Sequence, residues 1–272
     1  MIDIGPNLTN EQFKNDLEEV LKRAKNNNIS HLILTSTDMM SFKKNIDIIK
    51  KYNNIIPMST TYGLHPHNAK NNKDIFDNID KYLSYKEVIS IGEFGLDYFR
   101  MLSSKETQLE IMEKFLISGH KNPDKSLFLH ERDAFNDFYS LLKNKKGINK
   151  SVVHCFTGKR EHAIKYLDIG CYIGITGWIS DKRRNQDLVE ALKFIPIEKI
   201  MIETDSPYLT PHNMPKREKR NEPSNLKYIA KSIAEIKNIE IQEVVEKTFQ
   251  NTLDFFSLND YNNINKQQMK KI

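Results

Sequence analysis

Six titratable residues stand at or just beyond the ends of short apolar runs. Glu93 ends "VISIGE", His130 ends "SLFLH", and His154 lies near the end of "SVVHC". Asp205 follows "KIMIET", and His65 and His67 follow "IIPMSTTYG" in the stretch "YGLHPH". A lone histidine at a strand end is more often a satisfied core residue. Two imidazoles (His130, His154) and two carboxylates (Glu93, Asp205) at several strand ends together suit a divalent metal. One carboxylate and two imidazoles leave coordination positions open, and a water held there has its pKa lowered toward neutrality. Asp205 can orient that water or take its proton. Such a site hydrolyses esters, amides or phosphodiesters, and the ligands alone do not choose among them.

Those residues matter together only if the fold gathers them. The apolar runs at 2–4, 31–36, 55–63, 88–93, 126–130, 151–155, 171–175 and 199–204 read as strands. They stand about 20 to 40 residues apart, the spacing of βα units. Between them Leu17, Val20, Leu21 and Ala24 recur at helical spacing, as do Leu109, Met112 and Leu116, and Ala163, Ile164 and Leu167. Eight such alternations predict a single-domain α/β fold, a (β/α)8 TIM barrel. The rival, a doubly wound open sheet, calls for a Gly-rich phosphate loop after its first strand, and "DIGPNLT" is not one. In a barrel the strands' C-terminal ends share one rim. Glu93, His130 and His154, on consecutive strands, would stand side by side there, with Asp205 reaching in from across the mouth.

The bulk composition agrees with one large domain, expected over 1–257, followed by a polar tail over 258–272. The chain has 272 residues, 39% hydrophobic and 28% charged, with mean hydropathy −0.59. Its net charge of +5 is compatible with an anionic partner such as nucleic acid and proves none. Cys155 and Cys171 make neither a disulfide framework nor a zinc-ligand spacing. The N-terminal stretch has no signal-peptide pattern and no apolar run has the length of a membrane span, so a cytoplasmic location and no membrane partner are expected. No obligate protein partner is evident.

The blocks "DIGPNLT", "GLHPH", "GEFGLDY", "HERD", "HCFTG", "GITGW", "ETDSPYLTP" and "RNEP" occur in the order and approximate spacing of one family. From about residue 1 to 257 the chain resembles the TatD family of metal-dependent DNases, among the amidohydrolase-like TIM barrels. The "HCFTG" and "ETDSPYL" blocks are the most specific. The resemblance implies a Mg²⁺-dependent deoxyribonuclease, often a 3′→5′ exonuclease on single strands, with DNA as substrate and RNA left open; Mn²⁺ and Zn²⁺ are the other candidate ions. It implies Glu93, His130 and His154 as metal ligands, Asp205 as a ligand or base, and His65 at the scissile phosphate. Most family members open with a His-x-His pair that binds a second metal; here those positions are Gly5 and Asn7. At most one retained ion is therefore expected, with a second arriving only with substrate, and Gly5→His plus Asn7→His is expected to raise the stoichiometry toward two, provided strand one tolerates the bulk.

Further residues keep two readings each. His67 can share the substrate role of His65 or orient the loop. Arg132 can clamp a phosphate or form a rim salt bridge with Asp133. Lys182, Arg183 and Arg184, and Lys216, Arg217, Lys219 and Arg220, are two basic loops that can hold a phosphate backbone or be solvated, and Arg220 in "RNEP" can be structural. Tyr98, Phe99 and Trp178 can stack on bases or pack the rim. Two other functions compete with the nuclease: metal-dependent hydrolysis of another ester or amide, such as an aminoacyl-tRNA ester, and a non-catalytic nucleic-acid-binding barrel.

Overall fold

Each apolar run forms a parallel strand in the computed structural model, which describes residues 1–71, 74–144, 149–216 and 218–258. The strands are β1 (Ile2–Asp3), β2 (His31–Leu34), β3 (Met58–Tyr62), β4 (Val88–Asp97), β5 (Ser126–Arg132), β6 (Ser151–His154), β7 (Tyr172–Ile175) and β8 (Ile200–Ile202). They hydrogen-bond in sequence order from β1 to β8. The connecting helices are α1 (Leu17–Asn26), α2 (Met39–Tyr52), α3 (Ile79–Leu83), α4 (Lys105–Lys121), α5 (Phe135–Lys143), α6 (Arg160–Asp168) and α7 (Gln186–Phe194). Two more, α8 (Leu226–Lys237) and α9 (Ile241–Phe256), follow β8. This is the expected (β/α)8 barrel.

The first and last strands meet through side chains at the mouth. Asp3 accepts from the Thr204 amide at 2.9 Å and from the Thr204 hydroxyl, and the Asn7 amide donates to the Ser206 carbonyl at 2.7 Å. The seam therefore holds the segment after β1 against the segment after β8, the two stretches that carry Asn7 and Asp205.

The helices start where the chain supplies acceptors. Asp38 and Ser41 form a reciprocal capping box at α2, and Ser104 accepts from the Thr107 amide at α4. Their apolar stripes face the sheet: Val20, Leu21 and Ala24 of α1 are fully buried. In α6 the buried pair is Ala163 and Tyr166, while Ile164 is 39% exposed. Tyrosine takes the inner position because its hydroxyl reaches Glu131 at 3.1 Å, so its polar end is satisfied. Inside the barrel a second core of Ile2, Ile4, Ile33, Phe128, Val152 and Met201 continues onto Leu253, Phe255 and Phe256 of α9. Asn251 donates to the carbonyls of Ile197 and Ile200, which fixes α9 at the end of the barrel where β8 begins. The site lies at the opposite end. Of the predicted tail only Leu258 is among the described residues.

Strands four and five run past the positions expected to end them. β4 continues through Glu93 to Asp97 with a register shift between Gly92 and Phe94, and Gly95, Leu96 and Asp97 pair with His130, Glu131 and Arg132. Glu93 and His130 are thus mid-strand, and a two-stranded ribbon rises from the mouth above them. A bulge of this kind re-aims a side chain.

Candidate metal centre

One oxygen organises the mouth. Glu93 Oε1 lies 2.7 Å from His130 Nδ1, 3.4 Å from His154 Nε2 and 3.5 Å from His65 Nε2. Glu93 is almost fully buried. Burial alone would raise its carboxyl, yet the imidazoles of His65, His154 and His130 around it hold it well below the usual carboxylate range.

Two of the rings are backed by further carboxylates. His154 Nδ1 lies 2.7 Å from Glu203 Oε2, and the other oxygen of Glu203 accepts from the Cys155 amide at 2.6 Å. His130 Nε2 faces Asp97 Oδ2 at 3.6 Å, just beyond hydrogen-bond reach, and has no hydrogen-bond partner among the described residues. Each ring thus offers one nitrogen to the centre and turns the other toward a carboxylate, the arrangement that orients metal-ligating histidines. Burial lowers both rings' proton affinity, but the carboxylates overcome it. His130 is raised to about 9 by Asp97 and Glu93, and His154 is raised well above the usual range by Glu203 and Glu93.

His65 groups with Glu93 and His130 closely enough to share an ion. Its Nδ1, however, accepts the His67 amide at 3.0 Å, so the neutral ring carries its proton on Nε2, facing Glu93. A protonated nitrogen donates and does not ligate. Burial pushes the ring's pKa down to about 3, which keeps it neutral. His67 Nε2 lies 2.7 Å from Asp97 Oδ2, so the same carboxylate faces His67 and His130.

Asp205 and His154 also gather, together with Cys155. Asn7 donates to Asp205 Oδ1 at 2.9 Å, the polarity that a carboxylate demands of an amide. Burial raises the Asp205 carboxyl to about 7, the neighbouring carboxylates adding to the shift while His154 and Asn7 oppose it. The donor set fits a divalent ion: Glu93, His130 and His154 converge, and Asp205 stands beside His154. Strand one does not fit a second imidazole pair. A Cβ on Gly5 would lie 2.7 Å from Glu203 Oε2, so the bulk that Gly5→His adds meets the Glu203 carboxylate.

Glu203 and Asp97 stand outside the site residues expected from the sequence. Both carried a signal: Glu203 is the other carboxylate of "ETD", and Asp97 lies four residues after Glu93 on one strand. The basic residues divide differently from the sequence expectation. Arg183 Nη2 and Arg184 Nε bond Asp181 at 2.7 and 2.9 Å, and Arg184 lies over the Trp178 ring at 3.7 Å. Arg220 bonds Asp16 and Glu222 at 2.7 and 2.6 Å and the Gln12 carbonyl. Its guanidinium is a brace between the segment before α1 and the segment before α8. Arg132 stacks on Phe99 at 3.9 Å. Lys182, Lys216 and Lys219 are exposed, and Arg217 lies outside the described residues.

The TatD-related DNase family model matches residues 2–257. The chain is 37% identical over 262 residues to a protein of Pectobacterium parmentieri named 3′-5′ ssDNA/RNA exonuclease TatD, covering 95% of this chain and 100% of that one. It is 34% identical over 263 residues to the protein of the same name from Pantoea ananatis, with the same coverage. Among solved structures, a TatD family hydrolase from Entamoeba histolytica superposes with a TM-score of 0.84 at 35% identity, covering 94% of this chain and 97% of that one. With the match running through every strand that supplies the centre, the chain belongs to the TatD-related DNase family.

Proposed function

We propose that the chain is a divalent-metal-dependent nuclease that removes nucleotides from the 3′ end of single-stranded DNA or RNA, with Mg²⁺ as the working ion. The observation that carries this reading is the convergence of His130, His154 and His65 nitrogens on Glu93 Oε1 within 3.5 Å. The substrate follows the relatives, whose names specify a 3′-5′ ssDNA/RNA exonuclease. Glu93, His130, His154 and Asp205 would hold the ion, which would polarise the phosphoryl group and lower the pKa of the attacking water. Mg²⁺ suits a shell without imidazoles from strand one, because it keeps several waters and accepts phosphate oxygens. One ion is retained and a second comes with the substrate.

Asp205 acts as the base. In support, Asp205 stands beside His154 at the mouth, where it can reach a water bound at the centre. Asn7 holds one of its oxygens and leaves the other available. His65 donates from Nε2 to a phosphate oxygen, a role supported by its fixed tautomer. His67 and Arg132 bind the substrate from the ribbon side of the mouth, and Arg183, Arg184 and the neighbouring lysines supply positive potential at the rim.

Incubation with labelled single- and double-stranded oligonucleotides, in Mg²⁺, Mn²⁺, Zn²⁺ or EDTA, tests the reading. Stepwise shortening of single strands from the 3′ end in Mg²⁺, abolished by EDTA, is expected. Intact oligonucleotides under every metal would overturn it.

A further inference from the structure

Among the described residues, two cavities at the catalytic rim bear on the substrate. The larger, about 540 Å³, lies over β4, β5 and β6; its cations Lys105, Arg132 and Lys159 are outnumbered by the carboxylates Glu131, Asp133, Asp137 and Asp187. The smaller, about 270 Å³, lies between the loops that follow β7 and β8. Its one carboxylate, Asp181, is already bonded to Arg183 and Arg184. Its two cations are Arg184 and Lys219, and Lys219 makes no ion pair among the described residues. An anionic ligand therefore favours the smaller cavity.

From this we infer that the smaller cavity is the subsite for the terminal nucleotide of the strand, an inference that rests on the nuclease reading. Trp178 lines it from the β7 loop and Tyr208 from the β8 loop. Tyr208 is 52% exposed and its amide bonds the Asp205 carbonyl at 3.0 Å, so one wall of the cavity belongs to the loop that carries Asp205. The exposed Tyr208 ring can hold any base by stacking without reading its sequence, while the Trp178 ring carries the Arg184 guanidinium at 3.7 Å. Arg184 spends its Nε on Asp181 and keeps guanidinium donors for a phosphate or a ribose. The volume lies just below the range of about 300–1,000 Å³ for small-molecule sites, room for one nucleotide and not for a run of them. The walls are fixed in advance: a Cβ on Gly177 would lie 2.0 Å from the Leu209 carbonyl oxygen, so the two loops touch backbone to backbone. A pocket that takes a single nucleotide beside the base selects chain ends.

Trp178 is the only tryptophan of the chain, so its fluorescence reports on this cavity alone. Titration with dAMP should quench it saturably, in Mg²⁺ and in EDTA, and deoxyribose 5-phosphate should not. Tyr208→Ala should weaken the dAMP response by roughly 5- to 150-fold, the size of one base–aromatic stack. In parallel, the wild type should cleave an oligonucleotide with an intact 3′ nucleotide faster than one with an abasic 3′ end, and Tyr208→Ala should bring that ratio toward one. Equal quenching by the sugar phosphate, no quenching by dAMP, or a wild-type ratio of one would overturn the subsite. Any of these beside active hydrolysis leaves the nuclease reading standing; base-dependent quenching without hydrolysis sinks the nuclease reading and the terminal-nucleotide role with it, leaving only a nucleotide-binding cavity.

Discussion

Glu203 Oε2 and His154 Nδ1 lie 2.7 Å apart inside the barrel, and the nitrogen this contact leaves over, Nε2, is the one that faces Glu93 at 3.4 Å. The carboxylate therefore decides which edge of the imidazole the centre receives. It does so from full burial, with its second oxygen occupied by the Cys155 amide.

Glu203→Gln tests that role. A glutamine has one acceptor for two donors, so either the Cys155 amide or the ring loses its partner. If the Cys155 amide keeps the oxygen, the amide nitrogen faces Nδ1 and favours the tautomer with its proton on Nε2. Divalent-metal affinity should fall about 10- to 100-fold with the fold retained, the usual cost of losing such a partner. Calorimetric metal titration at matched circular dichroism measures it, and an unchanged affinity would assign Glu203 to packing alone.

Metal-free stability should depend on pH in a way that loading removes. His130 is raised to about 9, and His154 is raised as well, above an ordinary value of 6.5. The folded protein thus binds more protons than the unfolded one over this range, and their contribution, full below pH 6.5, is lost as pH climbs through 9. Asp205, raised to about 7 from 3.8, loses its contribution between those values as pH rises, in the same direction. Glu93 is lowered, so its contribution is present above its ordinary value of 4.5 and is lost as pH falls. Melting in EDTA should therefore drop by several degrees between pH 6.5 and 9, while the Mg²⁺-loaded protein holds its midpoint. Parallel profiles with and without metal would contradict this.

Arg220→Gln separates brace from substrate ligand. Arg220 joins Asp16, Glu222 and the Gln12 carbonyl, and its guanidinium also lies over Phe13 at 4.9 Å. It is 23% exposed, so solvent screens the network only in part. A loss of about 1–2 kcal/mol of stability is expected. The salt dependence of oligonucleotide binding should stay as in the wild type, where a lost phosphate contact would flatten the slope by roughly 0.7 on a single strand.

The barrel was readable because strand runs and helical periods survive in sequence, and its rim chemistry was readable because consecutive strands must bring Glu93, His130 and His154 side by side. The backing carboxylates were harder. Glu203 and Asp97 act on a ring nitrogen, and nothing local in "ETD" or "GLDY" says which imidazole lies opposite. The basic loops kept two readings in sequence, and folding adds carboxylate partners: Asp181 to Arg183 and Arg184, and Asp16 and Glu222 to Arg220. Asp16 lies 204 residues from Arg220, beyond any local pattern.

Gly5 gives the last prediction, about how many ions the centre keeps. The Glu203 carboxylate sits in a slot between two glycines: a Cβ on Gly5 would stand 2.7 Å from Oε2, and one on Gly174 would stand 2.4 Å from Oε1. The carboxylate fills the space above both glycines, so a methyl group at residue 5 displaces Oε2, the oxygen that faces His154. Gly5→Ala should then lower metal affinity as Glu203→Gln does, and cost about 1–3 kcal/mol of stability through overpacking. An imidazole at residue 5 is bulkier still. Gly5→His with Asn7→His should retain less metal than the wild type, because it destroys the support of the first site before any second site can form. Asn7 adds to the loss, since its amide now holds Asp205 at 2.9 Å. Elemental analysis after dialysis reads the outcome directly: at most one equivalent in the wild type and less in both variants. Two equivalents in the double variant would mean that Glu203 can yield its slot and that strand one accepts the pair.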